Sequence, residues 1–241
     1  MNRSFYKVGF SGKAGEVHAI FGLLKFDGQT VINQDILSKK EQDISRKFKA
    51  PKRNLQFLAG RKIAKDCILK LYPNHQSSSI SIDHGVWGFP YINSKNIAQM
   101  TISIAHTDNY AAVLIVPSSA YPCGIDIEEV STTHVKALEK LMTQKELKLV
   151  QKLSISAVEG LHLLWAAKEA AGKVLKVGFH IAEENYEIAS LTKRGKLFHI
   201  QFVQLQMISA VGWLDGDLCH CLAFPTLLEF KSIEGVKTNE K

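Results

Sequence analysis

Gly124-Ile-Asp-Ile-Glu128 is the stretch on which the reading of the chain turns. Apolar and acidic residues alternate with the period of a strand. Asp126 and Glu128 therefore project from one face while Ile125 and Ile127 enter the core. Two neighbouring carboxylates repel each other unless a cation lies between them. Hard oxygen ligands suit Mg2+, which keeps several waters and bridges to phosphate. A surface strand edge with two solvated acids would have the same pattern, so the stretch needs partners to mean more.

Two other stretches supply candidates. Upstream, Ile102-Ser-Ile-Ala-His-Thr107 reads as a strand ending in His106. A histidine at such an end can bind phosphate or carry a proton, although many simply complete a hydrogen-bond network. Downstream, Trp165-Ala-Ala-Lys-Glu-Ala-Ala-Gly-Lys173 reads as a helix. Trp165, Glu169 and Lys173 then share one face, with Lys168 beside them. An amphipathic helix with a buried Trp and an ordinary Glu–Lys pair is the competing reading. Gly172 weakens such a helix and allows close backbone or ligand approach.

The surrounding pattern is mixed. Residues 6–10 and 17–24 read as strands, 35–48 as a helix, and 51 to about 72 as a second helix opened by Pro51. On that helix Leu55, Leu58, Ala59, Ala64, Cys67, Ile68 and Leu71 form a stripe near the helical period, with Arg53, Arg61, Lys62 and Lys65 opposite. Residues 74–100 read as loop, with a turn at Gly85-Val-Trp-Gly88. Strands follow at 100–105, 110–116 and 124–130. A helix is expected over 133–153, with a capping box at Thr143–Glu146 restarting or reinforcing it, and another over 157–175. Strands are expected at 187–191, 197–205, 210–214 and 220–224, then a frayed polar tail over 231–241. Strands mixed with one or two helices in each half predict an α+β fold, with domains at 1–118 and 119–241.

Composition narrows the function classes. The chain has 241 residues, 46% of them hydrophobic and 22% charged, which is globular rather than disordered or fibrous. No apolar run has the length of a membrane helix and the N-terminus lacks a signal-peptide core, so a cytoplasmic protein without membrane partners is expected. Cys67, Cys123, Cys219 and Cys221 form no paired metal motif. The net charge is +7, and residues 1–70 hold fifteen basic against six acidic side chains. Such a patch attracts an anionic partner. No helix-turn-helix or aromatic RNA-binding signature accompanies it, which argues against nucleic acid.

Taken in order, the His106 strand, Gly-Ile-Asp-Ile-Glu and Trp-x-x-Lys-Glu-x-x-x-Lys resemble the 4′-phosphopantetheinyl transferases, in the long single-chain type that activates peptide and polyketide synthases. Arg46-Lys-Phe48 and Leu58-Ala-Gly-Arg61 resemble the N-terminal region of that family. The resemblance implies two similar α+β halves in a pseudo-twofold arrangement, a site between them, and a monomer. It implies transfer of the phosphopantetheine arm of coenzyme A to a serine of an apo acyl or peptidyl carrier protein, releasing 3′,5′-ADP, with Mg2+ as cofactor. By the same resemblance, Asp126, Glu128 and Glu169 hold the metal, Lys173 contacts the phosphates, His106 contacts the pyrophosphate, and Glu169 takes the serine proton. Arg46, Lys47 and Arg61 are candidates for holding the nucleotide or docking the carrier, and Lys168 joins the coenzyme-binding set. The alternative is a non-catalytic module of the same fold that binds coenzyme A or a carrier protein. The sequence departs from the family where Phe89-Pro90 replaces a Lys-Pro pair and where Ala105 replaces a serine before the histidine.

Overall fold

In the computed structural model of the protein, residues 2–177 and 182–234 are described. They divide into two compact α+β units. The first runs to Tyr121 and regains the chain at Lys231; the second holds Pro122–Phe230.

The first unit opens with a long antiparallel hairpin, β1 (Asn2–Gly12) and β2 (Gly15–Lys25). Two helices follow, α1 (Lys39–Ser45) and α2 (Pro51–Leu71). A two-stranded hairpin, β3 (Ile82–His84) and β4 (Pro90–Ile92), leads to β5 (Thr101–His106) and β6 (Tyr110–Val116). The second unit opens with β7 (Gly124–Glu129), then α3 (Val135–Lys140), α4 (Gln144–Gln151) and α5 (Ala157–Leu175). Four strands follow, β8 (Ile188–Arg194), β9 (Leu197–Phe202), β10 (Ile208–Asp215) and β11 (Leu218–Pro225). The last strand is β12 (Leu228–Ile233). The sheets are ordered β12-β1-β2-β6-β5 and β7-β11-β10-β9-β8.

The two units share a plan. In the first, α2 covers β2, β6 and β5; in the second, α5 covers β7, β11 and β10. Each helix lies over a glycine at the same place. A Cβ on Gly22 would run into Cys67 Sγ and the Ile63 side chain, and a Cβ on Gly124 would run into the carbonyl oxygen of Ala170. Absence of a side chain at these two positions lets helix and sheet close. Around each contact sits an apolar cluster: Leu24, Ile63, Cys67, Val113 and Ile115 in the first unit, and Leu163, Leu164, Ala167, Phe198 and Cys221 in the second.

The helix starts follow from local chemistry. Ser38, Thr143 and Ser156 cap α1, α4 and α5, each with a glutamate three residues on that reaches back to the capping residue's amide. Pro51 opens α2, where a missing N–H is harmless. Lys176 ends α5 in the left-handed conformation at φ 59°.

Several details depart from the sequence expectations. The helix expected over 133–153 is two helices, because extended backbone at Thr143 breaks it and starts α4 afresh. The helix expected over 35–48 is a single 3-10 turn at Gln34–Ile36 followed by α1. The loop over 74–100 contains the β3–β4 hairpin. Lys231–Ile233 complete β12 instead of fraying; residues 235–241 lie outside the described residues. Arg61 and Lys65, expected on an exposed face of α2, are buried at 4% and 0% exposure.

Candidate active site

The acidic strand and the Trp-Lys-Glu-Lys helix meet inside the second unit. Gly124, Asp126 and Glu128 alternate along β7, and Gly124 lies against α5, so both carboxylates look toward α5. Ile125 and Ile127 are buried on the opposite face of β7. The pleat is therefore as expected, but the carboxylate face is the one covered by the helix. Asp126 itself is 6% exposed.

Spacing along α5 does the rest. Trp165, Glu169 and Lys173 stand on successive turns, and all three are half-buried. Lys173 Nζ donates to Asp126 Oδ1 at 2.7 Å and to the Ile125 carbonyl at 3.0 Å. Trp165 donates its side-chain N–H to Glu128.

The electrostatics are those of crowded carboxylates. Burial, followed by the charges of Asp126 and Glu169, pushes the Glu128 carboxyl up to about 8, against the pull of Lys173 and the Trp165 hydrogen bond. Burial and the Asp126 charge push Glu169 up to about 7, again opposed by Lys173. Tyr186, at 0% exposure, also feels Glu169, and burial raises its hydroxyl. Three carboxylates on two elements thus lie near the Lys173 cation, which pairs with Asp126 and opposes the rise at Glu128 and Glu169.

Does this set fit a divalent cation? Among the described residues no three histidine, cysteine or acidic side chains are already arranged as a metal cage. Asp126 is turned to Lys173 instead. The donor chemistry nevertheless fits a hard cation. The candidate donors are all carboxylate oxygens, and burial first, then the neighbouring carboxylate charge, holds Glu128 and Glu169 back from ionising, which a bound cation would offset.

The other residues singled out in the sequence lie elsewhere. His106 ends β5 in the first unit and is exposed. Arg46 and Lys47, just after α1, are exposed, with Arg46 paired to Asp43 at 3.1 Å. Arg61 is an interior residue of the first unit. Its Nε lies 3.1 Å from Glu41, and its Nη2 donates to the Ile82 carbonyl and approaches His84 Nε2 at 3.1 Å. Lys168, also expected near the coenzyme, is 2% exposed and donates to Glu146 at 3.0 Å and to the Leu141 carbonyl at 3.2 Å.

Two neighbours of the site escaped the sequence reading. Glu146 was visible as the acid of a capping box, but nothing in the box announced that Lys168 would bury itself against it. The link from Trp165 to Glu128 joins two motifs that are far apart in sequence and meet only because α5 packs on β7.

Comparison with known proteins points to one family. Residues 122–211 match the model of the 4′-phosphopantetheinyl transferase superfamily. A holo-[acyl-carrier-protein] synthase of Onion yellows phytoplasma (strain OY-M) is 30% identical over 105 residues, covering 39% of this chain and 83% of that protein. A protein of the same name from Bacillus pumilus (strain SAFR-032) is 37% identical over 95 residues, covering 36% of this chain and 78% of its own. The 4′-phosphopantetheinyl transferase gsp of Aneurinibacillus migulanus is 24% identical over 205 residues, covering 85% of this chain and 83% of that protein. With the acidic strand and the Trp-Lys-Glu-Lys helix folded against each other as described, the chain belongs to the 4′-phosphopantetheinyl transferase superfamily.

Proposed function

We propose that this protein transfers the 4′-phosphopantetheine arm of coenzyme A to a serine of an apo acyl or peptidyl carrier protein, giving holo carrier protein and 3′,5′-ADP. The observation that carries the reading is the convergence of Asp126, Glu128, Glu169 and Lys173 where β7 meets α5. Relatives over most of their length are named for this activity.

In the reaction, the serine hydroxyl attacks the phosphorus that bears the pantetheine arm. A new P–O bond forms, the P–O bond to 3′,5′-ADP breaks, and the hydroxyl proton is taken up. Asp126, Glu128 and Glu169 would hold Mg2+, which supplies charge neutralisation to the pyrophosphate. Lys173, already at the mouth of the carboxylate set with its side chain 25% exposed, adds a second cation for the phosphates. Glu169, directly or through a water it orients, receives the serine proton. Trp165 keeps Glu128 oriented by its hydrogen bond. The exposed Arg46 and Lys47 attract the coenzyme's remaining phosphate or an acidic carrier. The same reading, resting on the resemblance, makes the protein a cytoplasmic monomer. No described helix is long and apolar enough to cross a membrane.

Intact-mass measurement of an apo carrier protein, incubated with the protein, coenzyme A and Mg2+, tests the reading. A gain of one phosphopantetheine unit, abolished by EDTA, is the expected result. Fatty acid, polyketide and peptide carrier proteins that all stay unmodified would leave a binding module in place of an enzyme.

A further inference from the structure

Among the described residues a buried lysine–glutamate pair occurs in each unit, in closely similar settings that differ in that Glu41 also pairs with Arg61. In the second unit, Lys168 Nζ on α5 donates to Glu146 Oε2 at 3.0 Å and to the Leu141 carbonyl at 3.2 Å. In the first, Lys65 Nζ on α2 donates to Glu41 Oε2 at 2.5 Å and to the Ile36 carbonyl at 2.7 Å. Each glutamate is the acid of a capping box, begun by Thr143 or Ser38. Each accepting carbonyl lies two residues before the capping residue. The second oxygen of each carboxylate accepts a strand amide, Ile188 N–H at 2.9 Å or Ile82 N–H at 3.2 Å. Both carboxylates are fully buried, and the lysine side chains are 2% and 1% exposed.

Chemistry distinguishes the two copies. Gly22 and Gly124 occupy the same place under their helices. Two and four residues further on, the second unit has Asp126 and Glu128 where the first has buried Leu24 and Phe26. The residue after the lysine is Glu169 in one and Asp66 in the other, and Asp66 is tied to Arg3 and Lys62. The lysine strut thus occurs where there is no carboxylate set to serve. Its common task is to fix a helix to the preceding short helix and to a strand.

We propose that Lys168 is a positioning residue of the transferase site, not a coenzyme ligand, and that it acts through Glu169. This rests on the reading of the protein as a metal-dependent transferase. Successive helical residues point about 100° apart, so Lys168 anchored toward α4 and β8 sets the rotation at which Glu169 faces β7. The Gly124–Ala170 contact sets how closely α5 approaches, and the strut sets how it is turned. A phosphate could reach Lys168 only by dismantling a pair buried on both sides. Partners that orient metal ligands from behind are worth about 10–100-fold in metal affinity.

The repeat supplies its own control. Lys168→Met and Lys65→Met are compared in the full chain for melting temperature, KM for coenzyme A, the Mg2+ concentration giving half-maximal transfer, and Mn2+ binding followed by electron paramagnetic resonance. Both variants lose melting temperature. Lys168→Met is expected to raise the Mg2+ midpoint and the Mn2+ dissociation constant by about tenfold or more, with KM for coenzyme A within about twofold of wild type. Lys65→Met leaves both metal readouts unchanged. If Lys168→Met does not fold, Glu146→Gln/Lys168→Met takes its place, since it leaves no buried charge unpaired and keeps an acceptor for Ile188 N–H. A rise in KM for coenzyme A with unchanged metal dependence would make Lys168 a ligand and overturn the proposal. So would an equal metal shift in Lys65→Met, because the effect would then be stability alone. A wild-type protein that neither transfers nor binds Mn2+ would refute the transferase reading itself. Amide exchange then still decides the strut: faster exchange over Glu169–Lys173 in Lys168→Met than in Lys65→Met supports it, and equal exchange sinks it.

Discussion

Gly124 lies directly beneath the carbonyl oxygen of Ala170, so close that a methyl group on Gly124 would collide with backbone. The glycine of the acidic strand is thereby tied to the helix that brings Glu169 and Lys173 to Asp126. Gly124→Ala must push α5 away or bend β7. We expect a loss of about 2–4 kcal/mol in urea unfolding, given that overpacking commonly costs 1–3 and backbone cannot swing aside as a side chain can. Gly22→Ala, which meets the Cys67 and Ile63 side chains, should cost less. An equal cost for both would show that backbone proximity is not what matters.

Asp126 and Lys173 form the ion pair at the centre of the candidate site, at 2.7 Å. Removing the cation by Lys173→Met should lower kcat by about 100–1000-fold, the range for losing one charge-stabilising donor. Glu169→Gln should cost about 100–10,000-fold through loss of the base, with a folded protein by circular dichroism. Steady-state transfer assays decide both, and near-wild-type turnover in either variant would remove that residue from the mechanism.

Arg61 and Arg46 look alike in the sequence and differ in the fold. Arg61 is held inside the first unit by Glu41 and the Ile82 carbonyl, whereas Arg46 is exposed. Arg61→Met strands part of a buried charge cluster and should destabilise the protein by about 3–5 kcal/mol. Arg46→Ala should leave the melting temperature within a degree or two and raise KM for coenzyme A. The reverse pattern, a stable Arg61→Met with impaired coenzyme binding, would contradict the assignment.

His220 gives a pH dependence with a definite sign. It stacks on Trp213, with ring centroids 4.8 Å apart, and burial pushes its imidazole down to about 3 from an ordinary 6.5. The unfolded chain therefore binds a proton that the folded one refuses. Stability from this residue is complete above pH 6.5 and is lost as pH falls from 6.5 toward 3. Each unit of pKa difference corresponds to about 1.4 kcal/mol, so the loss across this window approaches about 4–5 kcal/mol. His220→Gln should flatten that slope in acid-unfolding curves. An unchanged slope would mean that other groups govern acid unfolding.

Much of the fold could be read in the sequence because its signals were local. Alternation in Gly124–Glu128, the spacing of Trp165, Glu169 and Lys173, and the capping glutamates each depend on residues a few positions apart. What was missed depended on distant partners. Arg61 and Lys65 carry charge and so read as a solvated face, but Glu41 lies buried where both can reach it. Lys168 reads in the sequence as a neighbour of the Trp165–Glu169–Lys173 face, yet one step along a helix is a turn of about 100° and points it at Glu146 instead. The strand Leu228–Ile233 carries Glu229, Lys231 and Ser232, too polar a run to separate from a loose tail without the sheet edge it joins.

That edge has a consequence for how the chain is made. The outermost strand of the first sheet, β12, is synthesised after every element of the second unit. While the ribosome is still at work, β1 presents an open row of backbone donors and acceptors, the kind of edge through which chains aggregate. The N-terminal half can gather its core early, around α2, but its sheet gains that outer strand only when β12 emerges. Loss of β12 would therefore be felt at β1, as a nascent or truncated chain left sticky along that edge.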